Sequence, residues 1–341
     1  MPASTWLHVV VITLVLVLPD YAGAQTTTRT VTDMAQRAVT LPVQIRKVAT
    51  IGSVPVINSL MFAMGAGDMI VNGLPEPFAR QQRWKYQTVF APSMANKPQL
   101  QGPDRAPNIE ALLTVEPDVV FTMDKPNLDV LQRHKLPVVF LAWREPGDVK
   151  VAMQLLGEIF HKPAVAGRYT AYFDGIVARV AAGVMHAQVQ KPTVLYLSAA
   201  TLGQPRLIAE WWIEAAGGTS VTNDGRSTEN TTFTLEQLLA WDPDMLILNT
   251  PSDRDIIARD ERLQKLKAVT NKHVYLIPVG VHVWAHRTIE QPLTVLWAAK
   301  TFHPNVFADM DLHMEVRSFY QAFFGVVLSG AQVQEILDGA R

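Results

Sequence analysis

Leu235 to Ile247 reads LEQLLAWDPDMLI, and Ile109 to Phe121 reads IEALLTVEPDVVF. Glu, Leu-Leu and Pro-Asp fall in register 126 residues apart, with apolar residues in nearly all the remaining slots. Each phrase opens behind a good N-cap residue, Asn108 or Thr234, and closes on an apolar run after Pro-Asp. That pattern predicts helix, turn and buried strand. A chain that repeats the unit is expected to build two similar lobes.

The flanking sequence supports this expectation. RTVTDMAQRAVTLP alternates like a short hairpin, KVATI (47–51) is a β-branched strand, and a helical pattern from Val54 stops at Gly65 and Gly67. Met69–Val71 reads as a second short strand, and LPVVFL (136–141) closes the first half. Residues 147–188 contain no strand-like run. Ala166, Tyr169, Ala171, Phe173, Ile176, Val180 and Val184 there follow helical spacing and predict one long helix. PTVLYL (192–197), a helix from Ile208 stopped by Gly217-Gly218, the repeated phrase, a strand at His273–Pro278 and a helix at Thr288–Phe302 complete the second half. Strands alternating with helices predict a mainly parallel sheet in each lobe, flanked by helices. The expected division is a lobe at 25–146, a helical connector at 147–190 and a lobe at 191–341.

Residues 1–24 read differently. The apolar run Val9–Leu18 ends at Pro19, and Ala22-Gly23-Ala24 precedes Gln25, the layout of a secretory signal cleaved near Ala24. Met1–Val10 lacks the usual Lys or Arg, and the run falls short of the roughly 20 residues that span a bilayer. The chain has no cysteine, so neither disulfides nor a cysteine-linked lipid anchor are expected. The expected location is therefore the periplasm. Without residues 1–24 the chain carries 30 basic and 30 acidic side chains. A neutral chain has no general attraction for nucleic acid or anionic membranes, and a monomer is expected.

In open α/β sheets ligands bind beyond the carboxyl ends of the strands. Arg83, Trp84, Trp143, Arg144, Arg206, His282, Trp284, His286 and Arg287 follow predicted strands and are the candidate ligand-binding residues. Arg forks onto carboxylate- or phosphate-like groups and Trp offers a flat face, so together they suit an anionic, partly aromatic or chelated ligand. The plainer alternatives are a surface turn with one buried Trp at HVWAHR (282–287) and a solvated loop at Arg83-Trp84. His282 and His286 are spaced for a shared helix face but precede the predicted helix. With no Cys and no H-E-x-x-H, direct metal ligation by His282 and His286 is the minority reading; any metal is expected to arrive already chelated, and no intrinsic cofactor is expected. The chain has no phosphate loop and no nucleophile elbow. Ser53 follows a strand, but no base can be assigned to it, so an enzyme is the weaker reading.

From the opening RTVTDMAQRAVTLP through RKVATIGS and both E-x-L-L/PD phrases to VLWAAKTFHP, the chain resembles the periplasmic substrate-binding proteins of ABC importers for ferric siderophores, haem and cobalamin. The resemblance implies two α/β lobes bridged by a long helix. It also implies capture of an iron-siderophore or similar metal chelate between them, and delivery to a permease dimer with its ATPase. Glu110 and Glu236 match the acidic residues that, in that family, pair with permease arginines. From the residues alone each glutamate is a first-turn acid that favours its helix by about 0.3–1 kcal/mol. A small metal oxyanion or a nickel or cobalt complex is the alternative ligand. Gln36 departs from the resemblance, because the family usually has Gly there.

Overall fold

The computed structural model describes residues 27–226 and 228–339; the expected signal at 1–24 lies outside them. Strands β1 (Thr28–Thr32) and β2 (Ala38–Pro42) form the expected antiparallel hairpin. Its turn is tied by Asp33, which is buried and accepts from the N–H groups of Ala35, Arg37 and Phe140 at 3.0 Å. Gln36 has φ 61°, the left-handed region, which is why glycine suits this position.

In the first lobe β3 (Val48–Ile51), β4 (Val119–Thr122) and β5 (Val138–Phe140) run parallel in that order. The expected strand at Met69–Val71 shrinks to a single bridge, Ile70 to Val48, because Gly67–Met69 turns as a 3₁₀ helix. The second lobe holds β6 (Thr193–Leu197), β7 (Gly203–Gln204), β8 (Thr219–Ser220), β9 (Thr231–Thr232), β10 (Met245–Leu248) and β11 (Val274–Leu276). Its parallel sheet has the order β11-β10-β6-β8. With Ile70 counted at the edge, both lobes share one topology: the first strand lies between the second and third elements, and the fourth is outermost.

The repeated phrase occupies the same place in both. It forms the helix Ile109–Val115 leading to β4, and the helix Leu235–Trp241 leading to β10. Asn108 accepts from Ala111 N–H at 3.1 Å, and Thr234 from Gln237 N–H at 3.2 Å within a capping box. Both helices end on a left-handed residue, Glu116 or Asp242. The aspartate of each Pro-Asp then clamps the start of the neighbouring strand. Asp118 accepts from the N–H groups of Arg46 and Lys47 at 2.6 and 2.8 Å, and Asp244 from Thr193 N–H and Oγ1 at 2.9 and 2.8 Å. These bonds hold the Asp244 carboxyl below its ordinary range, opposed by partial burial. Glu110 and Glu236 stay exposed.

Strand alternation divides the interior. Val48, Val119, Val194, Met245 and Ile247 face a core that is continuous through both lobes. Ala49, Ile51 and Val120 join Leu112 in an outer cluster, as Leu195, Leu246 and Leu248 join Leu238. The repeated helices therefore cover the outer faces of the two sheets. The helix Pro163–Ala187, 25 residues and about 37 Å long, packs along the shared core through Ala166, Tyr169, Phe173, Ile176 and Val180. Ala171 lies two residues after Tyr169 and is exposed instead.

Among the described residues that helix is not alone in linking the lobes. The terminal helices Leu312–Phe324 and Gly330–Leu337 return to the first lobe. Tyr320 stacks on Phe90 at 5.2 Å, Phe324 meets Phe62 and Phe90, and Tyr86 donates to Gln332 O at 3.1 Å. Gln87 is fully buried and donates to Pro55 O and Val281 O at 3.0 and 2.8 Å, one carbonyl from each side.

Candidate functional site

The carboxyl ends of the central strands open on a cleft between the lobes. An outer chamber of about 540 Å³ is lined by Ser53, Met123, Asp124, Lys125, Trp143, Arg144, Asp148, Glu229 and Arg287, among others. An inner chamber of about 350 Å³ is lined by Ser53, Phe78, Trp84, Arg105, Asn230, His282, His286 and Arg287, with Pro55, Val56 and Pro205. Ser53 and Arg287 belong to both. The inner wall carries two guanidinium groups and no carboxylate.

The first-lobe wall starts at the turn after β3. Gly52 has φ +86°, and a Cβ there would overlap the Asp124 carboxylate, so only glycine allows this approach. Ser53 follows at the N-terminus of the fully buried helix Val54–Ala63, whose positive end favours an anion at the cleft. Trp143 is 2% exposed and its indole N–H has no partner among the described residues; Asp124 Oδ2 is likewise buried and unpaired. Trp84 packs edge-on to Phe78 and lies 5.0 Å from the His282 ring. Arg83 stands 5.7 Å from the Trp84 ring and reaches across the cleft to Asn249, donating to its backbone O at 3.2 Å.

The second-lobe wall is the segment 280–288 after β11, and one buried carboxylate shapes it. Glu290 Oε1 accepts from Val281 N–H and the Trp284 indole, both at 3.0 Å, and from the Tyr320 hydroxyl. Oε2 accepts from His282 N–H at 3.0 Å and the Thr288 hydroxyl at 2.8 Å. Burial pushes the Glu290 carboxyl up, and the hydrogen bonds oppose that shift. A Cβ at Gly280 would overlap this carboxylate and the Tyr320 hydroxyl, so the wrap closes only on glycine. Arg287 crosses to the first lobe and donates to Trp143 O at 3.1 Å.

Burial, reinforced by Arg83 and Arg287, pushes the His282 imidazole down to about 3, against the hydrogen bond to Val283 O. His286 is lowered well below its ordinary value by burial, then by His282, Arg83 and Arg287. Both rings are neutral at neutral pH. The unfolded chain takes up the His282 proton near pH 6.5 and the folded chain only near 3, so the stability due to neutral His282 is present above 6.5 and declines as pH falls toward 3. Urea unfolding at pH 7 and at pH 4.5 should show His282→Gln losing less stability on acidification than the parent. The difference is up to about 1.4 kcal/mol per pH unit; equal losses would refute this account.

The cleft gathers Trp84, Trp143, Arg144, His282, His286 and Arg287, with Arg83 bridging its edge. It does not gather Arg206 or Trp284. Arg206 begins the helix Arg206–Ala215 and turns inward, 1% exposed, donating to Glu210 at 2.8 Å and to Asp224 and Thr222 O. There it fastens the loop that carries Glu229 and Asn230 to the cleft, since its own N–H donates to Glu229 O at 2.8 Å. Trp284 is fully buried on Glu290. Arg105, Asn230 and Glu290 escaped the sequence reading: the first two lie on loops that follow no central strand, and Glu290 sits inside an expected helix.

Two α/β lobes facing one another across a ligand-sized cleft define a solute-binding protein. Residues 66–279 match the periplasmic binding protein family, and the chain belongs to it. Among its relatives, the molybdate-binding protein MolA of Haemophilus influenzae is 24% identical over 327 residues, 87% of this chain and 91% of that protein. A periplasmic solute binding protein from Veillonella parvula superposes with a TM-score of 0.78 at 24% identity, covering 91% of this chain and 97% of that one. The molybdate-bound structure of MolA, the periplasmic binding protein of an ABC transporter, gives 0.75 at 23% identity, covering 88% and 99%. This protein is thus a periplasmic solute-binding protein of the kind that serves ABC transporters. No helix among the described residues is long and apolar enough to cross a membrane.

Proposed function

We propose that this protein captures an anionic metal chelate of siderophore type between its lobes and delivers it to an ABC importer. The observation that carries the reading is the pairing of a roomy outer chamber, about 540 Å³, with an inner one walled by Arg105, Arg287, Trp84 and two neutral histidines. Such volumes suit an organic ligand, and guanidinium groups match the oxygen donors of a chelator. Ligand, lobes and permease would then act in sequence: capture from both walls, docking through Glu110 and Glu236, and release driven by ATP hydrolysis elsewhere. The glutamates fit docking because they are exposed at matching places in the two lobes.

A second reading is a metal oxyanion. It is favoured by the inner chamber, where two arginines face no carboxylate, and by the molybdate-binding relative. Native mass spectrometry of the protein purified from its own periplasm, with metal analysis of the same sample, separates the two. An organic mass with a metal supports the chelate; molybdenum without one transfers the assignment to the oxyanion. Under either reading Arg287→Ala should weaken binding more than tenfold, about 1.4 kcal/mol or beyond. Calorimetry showing unchanged affinity would remove Arg287 from the site.

A further inference from the structure

We infer that the last helix, Gly330–Leu337, fixes the width of the inner chamber by holding both of its walls, with Glu335 as the positioning residue for the Arg83–Trp84 wall. The inference rests on the reading that cargo is bound in that chamber, whatever the cargo's chemistry. Its basis is that two successive residues of one short helix bond to opposite sides of the cleft. Glu335 faces the first lobe. Its carboxylate pairs with Lys85 Nζ, and the Tyr86 hydroxyl lies 3.2 Å from its Oε2. Lys85 and Tyr86 open the helix Lys85–Phe90, directly after the 3₁₀ turn Gln82–Trp84. The ion pair is therefore one residue removed from Trp84, which lines the inner chamber. It is two removed from Arg83, which crosses the cleft edge to Asn249.

Ile336 faces the other way. Its carbonyl is among the last four of the helix, which lack a partner within it, and it accepts from Val279 N–H at 3.0 Å. Val279 immediately precedes the segment 280–288 that forms the second-lobe wall. The Val333 and Ile336 side chains are buried in the shared core, and a capping box at Ser329 fixes the other end of the helix. Gln87 joins the two held segments directly through Val281 O. The helix Lys85–Phe90, the segment from Val279 and the last helix thus close a triangle of bonds. Where its two wall segments converge, the Trp84 and His282 rings stand 5.0 Å apart. Walls held in advance at the spacing cargo requires bind it without a cost of ordering them. The Lys85–Glu335 side of the triangle is partly exposed, so it adds little to stability and can be cut without stranding a buried charge.

The test reads the wall and the affinity separately. Fluorine NMR of protein labelled with 5-fluorotryptophan follows Trp84, assigned through Trp84→Phe, with Trp241 as a reference outside the cleft. Glu335→Lys should move the Trp84 line and leave the Trp241 line in place, and the charge swap Lys85→Glu/Glu335→Lys should return it. Glu335→Gln should move it the same way by less, which keeps the inference testable if the swap folds poorly. Titration with molybdate and with ferric citrate, whichever the parent binds, should show Glu335→Lys weaker by at least about fivefold and the swap within about twofold of the parent. An unmoved Trp84 line would overturn the inference. So would movement of the Trp241 line with it, the mark of general damage to the fold. A displaced Trp84 with unchanged affinity would also overturn it, and Arg287→Ala then shows whether the chamber itself has failed: lost affinity there keeps the cargo in the chamber. The fluorine measurement needs no cargo and decides alone if neither probe binds.

Discussion

Reversing Glu110 and Glu236 together to lysine is expected to abolish transport while leaving ligand affinity within about twofold, or ~0.4 kcal/mol. Each carboxylate is exposed in the first turn of the repeated helix, on the outer side of its lobe and away from the cleft. Glu236 is kept ionised, held below its ordinary range by its own backbone N–H and the Thr234 hydroxyl. Loss of an acid at a helix N-terminus costs at most about 1 kcal/mol, too little to unfold a lobe. On the proposed docking role, a charge reversal would act on docking instead, where like charges set side by side cost several kcal/mol. Uptake in cells, with ligand titration of the purified variant, reads both quantities. Lost affinity would make the glutamates structural; normal uptake would remove them from docking.

Glu290→Ala is expected to reduce stability by about 3–5 kcal/mol and to weaken ligand binding although Glu290 lines neither chamber. The carboxylate receives five donors, and truncation would leave the indole N–H of Trp284, two hydroxyls and two backbone N–H groups buried without an acceptor. Those donors hold the segment that presents His282, His286 and Arg287. Glu290→Gln keeps the shape and one acceptor oxygen, so its loss should be smaller. Urea unfolding monitored by tryptophan fluorescence checks the order, parent above Gln above Ala. A fully stable Ala variant would show that water replaces the carboxylate.

The two lobes were legible because the repeated phrase carries its own helix cap, turn and strand, all local signals. The long helix was legible for the same reason: its apolar spacing continues for seven turns. Long-range pairings were not. Asp118 and Asp244 look like turn residues in sequence, and only the sheet reveals that each clamps the next strand over. Arg206 follows a strand as a ligand-binding residue would, but Glu210 and Asp224 draw it inward. Trp284 lies between two histidines of the inner wall and points the other way, because Glu290 requires its indole. Strand ends thus located the cleft, while partners far away in sequence decided which side chains face it.

The return of the terminal helices to the first lobe bears on traffic at the transporter. With Gln87 bonded to both sides and Tyr320 stacked on Phe90, the lobes are held at two places rather than swung from one hinge. On the proposed function, Glu110 and Glu236 would then keep nearly the same spacing whether the cleft is empty or full. Empty carriers would present the same docking face as loaded ones and compete for the same permease. Uptake should therefore peak and then fall as carrier is added in excess of its cargo.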